Sequence, residues 1–502
     1  MRKRTILTVL VSGLALIFGA SPAVALGSPS RRLPVPHRQA RVCDPADVND
    51  VPPEIRYECH WVTVPEHHAG LDGDTFRLAV TVLHSTAADP APDPVVYISG
   101  GPGGPGGSPN VWSKSPFLAE RDVILYDQRG TGSSEPDLEC PEIEQQNVAM
   151  FERADDNAGE EAAATAAARA CHRRLVAEGR DLTAFSTPEN AADLADIRAA
   201  LGIREWHLFG ISYGTRVALE SLRSQWVGVK SVVLDSVSGV AGRTATETVG
   251  GGRRSIDLLA ARCSASAACA SVHPDLRGEL EAAVKRFDRE PHRSRVDFGP
   301  ELGVHDVAVT GADIMAFVFG SLSFTDIIPT LPSIIGQLSR GDGSILDAFV
   351  TASVARMNVF AEGMSLSVGC ADSSPNRAEQ RRTDRTLLRD PESWSSTVLI
   401  YRSLWCSGWE AGVVDSSFVD PVVSRRPALV LSGSLDPITP TPRARRAVEQ
   451  LTNATFVRFA GMGHGVWDDH GCNEDLVVTF LRDVRAPLDT SCADRSGSPV
   501  LP

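Results

Sequence analysis

A mostly parallel α/β sheet, interrupted by a large helical insertion, is the architecture that this sequence predicts. Three observations carry it. Short apolar runs bounded by turn residues recur through the first half, and helical stretches alternate with them. That rhythm stops near residue 241 and resumes near residue 425. Alternating strands and helices imply a parallel sheet built from right-handed crossovers.

Taken in order, residues 26–42 are rich in Pro, Arg and Ser and read as a flexible lead. A strand is expected at 61–64. Phe76, Leu78, Val80 and Val82 then alternate with Arg77, Ala79 and Thr81, the period of a half-buried strand. Residues 95–98 and 123–126 are short apolar runs suited to the middle of a covered sheet. The Ala-rich stretch 160–178 reads as a helix. Thr187-Pro188-Glu189 marks a helix start, with Thr187 as N-cap, and Gly202 ends that helix. A strand at 206–209, a helix at 213–222 and a strand at 231–234 follow. Residues 241–424 hold helical stretches, including 312–319 and 345–359, and few strand candidates. Strands return at 428–431 and 455–459. The expected organisation is a core of 43–240 and 425–492, a helical lid insertion at 241–424 and a tail at 493–502.

The bulk properties narrow the function classes. The chain has 502 residues, of which 42% are hydrophobic, ordinary for a globular protein. Its formal net charge of −14 argues against nucleic-acid binding, which calls for a basic patch or stripe. Arg2, Lys3 and Arg4 precede an uncharged, mostly apolar stretch at 5–20, and Ala23-Val24-Ala25 has the small-x-small pattern of a cleavage site. Residues 1–25 therefore read as a secretory signal peptide. The apolar stretch falls short of the roughly 20 residues that a spanning helix needs. Export without stable membrane insertion is the expectation.

Ten cysteines, an even count in an exported chain, suggest disulfides. No C-x-x-C pair is present, so no structural zinc site is expected. No metal or other cofactor is expected either. Short loops close at the lower entropic cost. That favours neighbour pairing: Cys43 with Cys59, Cys140 with Cys171, Cys263 with Cys269, Cys370 with Cys406, and Cys472 with Cys492.

The strongest local signal is Gly210-Ile211-Ser212-Tyr213-Gly214, between an expected strand and an expected helix. That is the setting of a nucleophile elbow, in which a serine stands on a sharp strand-to-helix turn. A serine hydroxyl needs a base to remove its proton. In chain order the acid and the histidine follow the serine. Asp436 lies on the loop after one late strand, and His464, in Gly463-His464-Gly465, lies on the loop after the next. Asp235, at the end of the strand after the elbow, is a rival acid. His470 is a neighbouring histidine in an Asp-Asp-His-Gly turn setting. Negative charge on a tetrahedral intermediate needs backbone N–H donors. Tyr213 is expected to supply one, and Gly101, in the Gly-rich loop 99–104, the other.

Together these residues resemble the prolyl iminopeptidase and tripeptidyl aminopeptidase family of α/β-hydrolases. The motifs are Gly100-Gly101-Pro102-Gly103, Tyr126-Asp127-Gln128-Arg129-Gly130-Thr131-Gly132-Ser133, Gly210 to Thr215, Leu435 to Pro440, and Gly463-His464-Gly465. Tyr213, Thr215 and Val368-Gly369-Cys370-Ala371-Asp372 are more similar to the secreted tripeptidyl branch. Ser99 departs from the histidine that prolyl iminopeptidases usually carry there. The resemblance implies the α/β-hydrolase fold and an exopeptidase that acts on free N-termini through an acyl-enzyme on Ser212. It also implies lid carboxylates for the substrate ammonium, for which Asp372 and Glu410 are candidates. A monomer acting on peptides is the resulting expectation. A carboxylesterase or lipase with the same triad is the alternative. A non-catalytic binding protein is a third, against which the filled triad argues.

Overall fold

Nine strands form one sheet, in the order β1-β2-β3-β5-β4-β6-β7-β10-β11. In chain order they are β1 His37–Ala40, β2 Tyr57–Pro65, β3 Thr75–Leu83, β4 Val95–Ile98, β5 Val123–Tyr126, β6 Trp206–Ile211 and β7 Val229–Asp235, then β10 Ala428–Gly433 and β11 Ala454–Phe459. Among the described residues, the two strands between them, β8 His292–Asp297 and β9 Val304–Val309, pair only with each other. The first strands pair antiparallel as far as β5, and every pairing from β5 through β11 is parallel. This computed structural model describes residues 36–70, 73–152, 157–239, 244–378, 382, 406, 408–467 and 471–497. The signal-peptide reading at 1–25 and the rival His470 lie outside the described residues.

The sheet's middle is apolar because both faces are covered. Along β7, Val232 and Leu234 pack into one core cluster and Val233 into another. Along β10, Val430 faces the first cluster while Leu429 and Leu431 face the second. This is the two-residue period of the pleat. On the first face lie helices Thr187–Ala200 and Tyr213–Ser224; on the second lie helix Cys472–Arg482 and the rings of Trp112 and Phe117. Truncating a buried leucine here, such as Leu208, costs about 2–5 kcal/mol.

Two local expectations are corrected. Part of the stretch expected as a flexible lead, His37–Ala40, is an edge strand paired with β2. Its residues are exposed, and backbone pairing rather than apolar burial holds it, so no apolar pattern announces it. The helix start also moves by one residue. Ser186, not Thr187, is the N-cap, and its hydroxyl accepts from the Glu189 amide. The Thr187 hydroxyl is used elsewhere, between Tyr213 and Asp372.

Between β7 and β10 the chain leaves the sheet. It forms helices Thr244–Ala265, Leu276–Arg289, Gly311–Ser321, Leu331–Ser339, Leu346–Met357 and Glu362–Asp372, together with the β8–β9 hairpin. This excursion has its own core, built from Leu259, Leu280, Ile314, Val318 and Ile335, among others. Disulfides join Cys43 to Cys59, Cys140 to Cys171, Cys263 to Cys269, Cys370 to Cys406 and Cys472 to Cys492. Among the described residues, no helix is long and apolar enough to cross a membrane.

A buried ion cluster fixes the segment after β5. Arg129 grips Asp193 with two hydrogen bonds, at 2.7 and 2.6 Å, and both side chains are fully buried. Its remaining hydrogens go to the carbonyls of Pro65, Glu66 and Ala184. Beside it, His68 bridges Glu189 at 2.5 Å and Asp196 at 3.1 Å.

Candidate active site

The turn from β6 into helix Tyr213–Ser224 places Ser212 at φ 54°, ψ −119°. An L-residue adopts this positive φ only at a cost, and such strain clusters at functional turns. The flanking glycines explain how the turn is possible. A Cβ on Gly210 would lie 2.5 Å from the Gly214 carbonyl oxygen, and one on Gly214 would lie 2.0 Å from that of Ile98. The Tyr213 amide opens the helix and has no intrahelical acceptor, so it is free to meet an oxyanion.

The glycine loop lies directly against this serine. A Cβ on Gly100 would stand 3.0 Å from the Ser212 Cβ. Gly101 has φ 115°, open to glycine and strained for other residues. The Gly104 amide donates to Gly100 at 3.2 Å, and the Ser99 hydroxyl donates to the Gly104 carbonyl at 3.0 Å. Buried Gln128 donates to the Ser99 carbonyl at 3.1 Å. Asp127 accepts from the amides of Gly106 at 2.7 Å and Ser133 at 2.8 Å. Ser99 thus closes the loop. Asp127 and Gln128 are its supports.

Asp436 and His464 meet at 2.9 Å, Oδ2 to Nδ1. The loop after β10 prepares the carboxylate. Its Oδ1 accepts from the amides of Ile438 and Thr439, each at 2.8 Å, and its Oδ2 accepts from the Thr439 hydroxyl at 2.5 Å. Burial opposes charge on Asp436. The neighbouring His464 and these hydrogen bonds outweigh it and hold the carboxyl below its ordinary pKa. Burial likewise opposes charge on His464. Asp436, with a smaller contribution from Asp235, outweighs it and raises the imidazole pKa. Thr439 was not singled out from the sequence. It lies 3.2 Å from His464 Nδ1 and so touches both members of the pair.

Asp235, the rival acid, has another task. Its carboxylate accepts from the amides of Val466 at 3.0 Å and Trp467 at 2.8 Å, and burial pushes its pKa up. The Ser212 amide donates to its carbonyl at 2.9 Å. One residue therefore joins the elbow to the loop that carries His464. On the other side, the His464 amide donates to the Ser323 carbonyl at 3.0 Å, and the Gly463 amide donates to the Thr325 hydroxyl at 3.1 Å. Ser212 Oγ forms no hydrogen bond among the described residues. Unliganded catalytic contacts are often long and tighten with substrate.

Among the described residues, neither expected amine-binding carboxylate forms a hydrogen bond to Ser212, His464 or the glycine loop. Asp372 is buried and already engaged: it accepts from the Thr187 hydroxyl at 2.7 Å, the Thr187 amide at 3.1 Å and Arg216 at 3.1 Å. Three hydrogen bonds thus already hold this carboxylate, one of them from the Arg216 cation. Glu410 is exposed, and its amide donates to His172 on helix Asn157–Ala177. The residues that do cover the glycine loop are others. The Ala361 amide donates to the Gly103 carbonyl at 2.9 Å, and the Ser365 hydroxyl to that of Pro102 at 2.8 Å. The Phe360 ring would lie 3.2 Å from a Cβ on Gly101.

Ser212 lies against the glycine loop, and the loop of His464 reaches the elbow at Gly465, where a Cβ would stand 3.0 Å from Ile211. A serine, a histidine–aspartate pair and backbone amides are the groups that acyl transfer uses. Residues 93–249 match the family described as alpha/beta hydrolase fold, and residues 392–492 match the one described as TAP-like protein. The Escherichia coli (strain K12) protein YuaR is 24% identical over 462 residues, 86% of this chain and 87% of its own. The tripeptidyl aminopeptidase of Streptomyces coelicolor is 35% identical over 172 residues, which cover 32% of this chain and 31% of that relative. Among solved structures, MGS-M2, an alpha/beta hydrolase enzyme from a Medee basin deep-sea metagenome library, aligns over 83% of this chain and 97% of its own. It does so at 13% identity with a TM-score of 0.38.

Proposed function

We propose, on the premise that the chain is an α/β-hydrolase, that it is an exported serine aminopeptidase releasing short peptides from a free N-terminus. The observation that carries the catalytic part is the hydrogen-bonded Asp436–His464 pair, whose loop meets Ile211 of the strained Ser212 turn at Gly465. In this reading His464 takes the Ser212 proton as the hydroxyl attacks the substrate carbonyl. The amides of Tyr213 and Gly101 receive the oxyanion. His464 then returns the proton to the departing amine, leaving an acyl-enzyme that water hydrolyses by the same steps in reverse. Asp436 keeps the imidazole in the right tautomer throughout.

The substrate class is supported by the likeness to tripeptidyl aminopeptidases over a third of the chain. Export is supported by the five disulfides, which persist in oxidising compartments. Free N-termini require a carboxylate near the glycine loop. We assign Glu362, a buried acid one residue past the Ala361 contact to Gly103, in place of Asp372 and Glu410.

The test compares unblocked tripeptide anilides with their N-acetylated forms and with simple fatty esters. Acetylation removes the ammonium and is expected to lower kcat/KM tenfold or more, about 1.4 kcal/mol of transition-state binding. Glu362→Gln should narrow that gap. Equal rates on free and acetylated substrates, or a preference for fatty esters, would replace the aminopeptidase reading with that of an esterase.

A further inference from the structure

We propose that Arg356 is a specificity residue on the leaving-group side of the site, selecting substrates with a carboxylate close beyond the scissile bond. This rests on the serine-hydrolase reading above. A histidine that protonates the departing atom must face the leaving group, so what packs on the loop of His464 lines that side.

The excursion between β7 and β10 supplies this packing. Ser323 and Thr325 take the amide hydrogens of His464 and Gly463. Between them stands Phe324, whose ring carries the Arg356 guanidinium at 4.4 Å. Arg356 lies in the last turn of helix Leu346–Met357. Four residues on, Phe360 reaches the glycine loop. Residues 356–361 thus run from the histidine side of the centre to the oxyanion side.

The arginine's surroundings leave its charge unspent. Among the described residues no carboxylate forms an ion pair with it, and its one direct partner is the aromatic face. An aromatic face adds little at an exposed site and leaves the guanidinium edge and its donors available. The side chain keeps solvent access, yet desolvation by its surroundings lowers its pKa. Its field also opposes protonation of His464. A cation beside a histidine that must become cationic works against the reaction unless something neutralises it. A substrate carboxylate does so, and it pairs with the planar fork that arginine presents.

The experiment uses matched leaving groups on the full-length enzyme. One pair of free tripeptides is extended by aspartate amide or by asparagine amide. A second pair carries the same tripeptide esterified to glycolate or to glycolamide. The readout is the acid-to-amide ratio of kcat/KM, in which a general loss of activity cancels. Wild type is expected to favour the acid about tenfold in each pair that it cleaves. Arg356→Gln should bring the ratio close to one, and Arg356→Lys should restore part of it. A ratio near one in wild type, or one that survives in Arg356→Gln, overturns the inference. Cleavage of the esters alone, with the acid preferred, ends the aminopeptidase reading and supports the role of Arg356. An enzyme that cleaves neither pair removes the inference together with the reading beneath it.

Discussion

Asp235 accepts the amide hydrogen of Trp467 at 2.8 Å, so a carboxylate at the end of β7 fixes the loop that carries His464 three residues earlier. The same side chain takes the Val466 amide, and the Ser236 hydroxyl takes that of Gly465 at 2.7 Å. Three successive amides after the histidine are thereby tied to the strand that neighbours the elbow strand.

Asp235→Asn should therefore damage the site at a distance. The amide keeps one acceptor oxygen, and its NH2 group faces the other N–H donor; a hydrogen bond to a charged group contributes about 1.5–3 kcal/mol. Urea unfolding should show a loss of about 2 kcal/mol. kcat should fall by more than KM changes, because the loop positions the base and not the substrate. A variant with wild-type stability and kcat would refute this role.

Thr439→Val keeps the shape and removes a hydroxyl that touches both Asp436 and His464. The expected loss in kcat is about tenfold, the equivalent of one hydrogen bond near 1.4 kcal/mol. Thr439→Ser should recover most of it. Steady-state kinetics on one anilide substrate, run for both variants, decides the matter; equal losses in Val and Ser would point to lost packing in place of the hydroxyl.

The pH profile carries a sign. His464 acts as a base only when neutral, and its pKa is raised above 6.5 because Asp436 and its hydrogen bond outweigh burial. Activity should rise with pH, with its midpoint above 6.5, and fall away below it. Asp436→Asn removes the raising charge, so its residual activity should have a lower midpoint and a much smaller plateau. A midpoint that does not move would separate the titration from this pair.

Much of this candidate site is legible in the chain because its elbow and glycine loop have local signatures. The elbow needs glycine at 210 and 214, since any side chain there would meet backbone within 2.5 Å, and such necessity is visible in sequence. The central strands are visible because both of their faces are buried. Other features depend on partners far along the chain. Asp372 reads as a free lid acid until the fold brings Arg216 and Thr187 to it. The Gln128 contact to Ser99 and the Arg356 contact to Phe324 span 29 and 32 positions, and no periodicity encodes them. The edge strand His37–Ala40 has no apolar pattern because nothing is buried on it.

Alkaline stability should report on His68. Burial opposes its charge, but its hydrogen bonds to Asp196 and Glu189 raise its pKa from 6.5 to about 9. A raised pKa stabilises the fold fully below pH 6.5, and that contribution is lost as pH climbs through about 9. The amount at stake is on the order of 3 kcal/mol. Thermal melts from pH 6 to pH 10 should show a decline for wild type. His68→Gln should be less stable at pH 7 and flatter through this range. Parallel curves for the two proteins would exclude the cluster as the cause.

The central claim is that Ser212 is the nucleophile, and covalent labelling tests it most directly. Wild type and Ser212→Ala are treated with a serine-reactive fluorophosphonate, and the modified peptide is located by mass spectrometry. The account predicts one adduct per wild-type chain, on Ser212, with none on a Ser212→Ala protein that melts like wild type. Labelling that persists in the folded Ser212→Ala variant, or an adduct mapped to another residue, would contradict it.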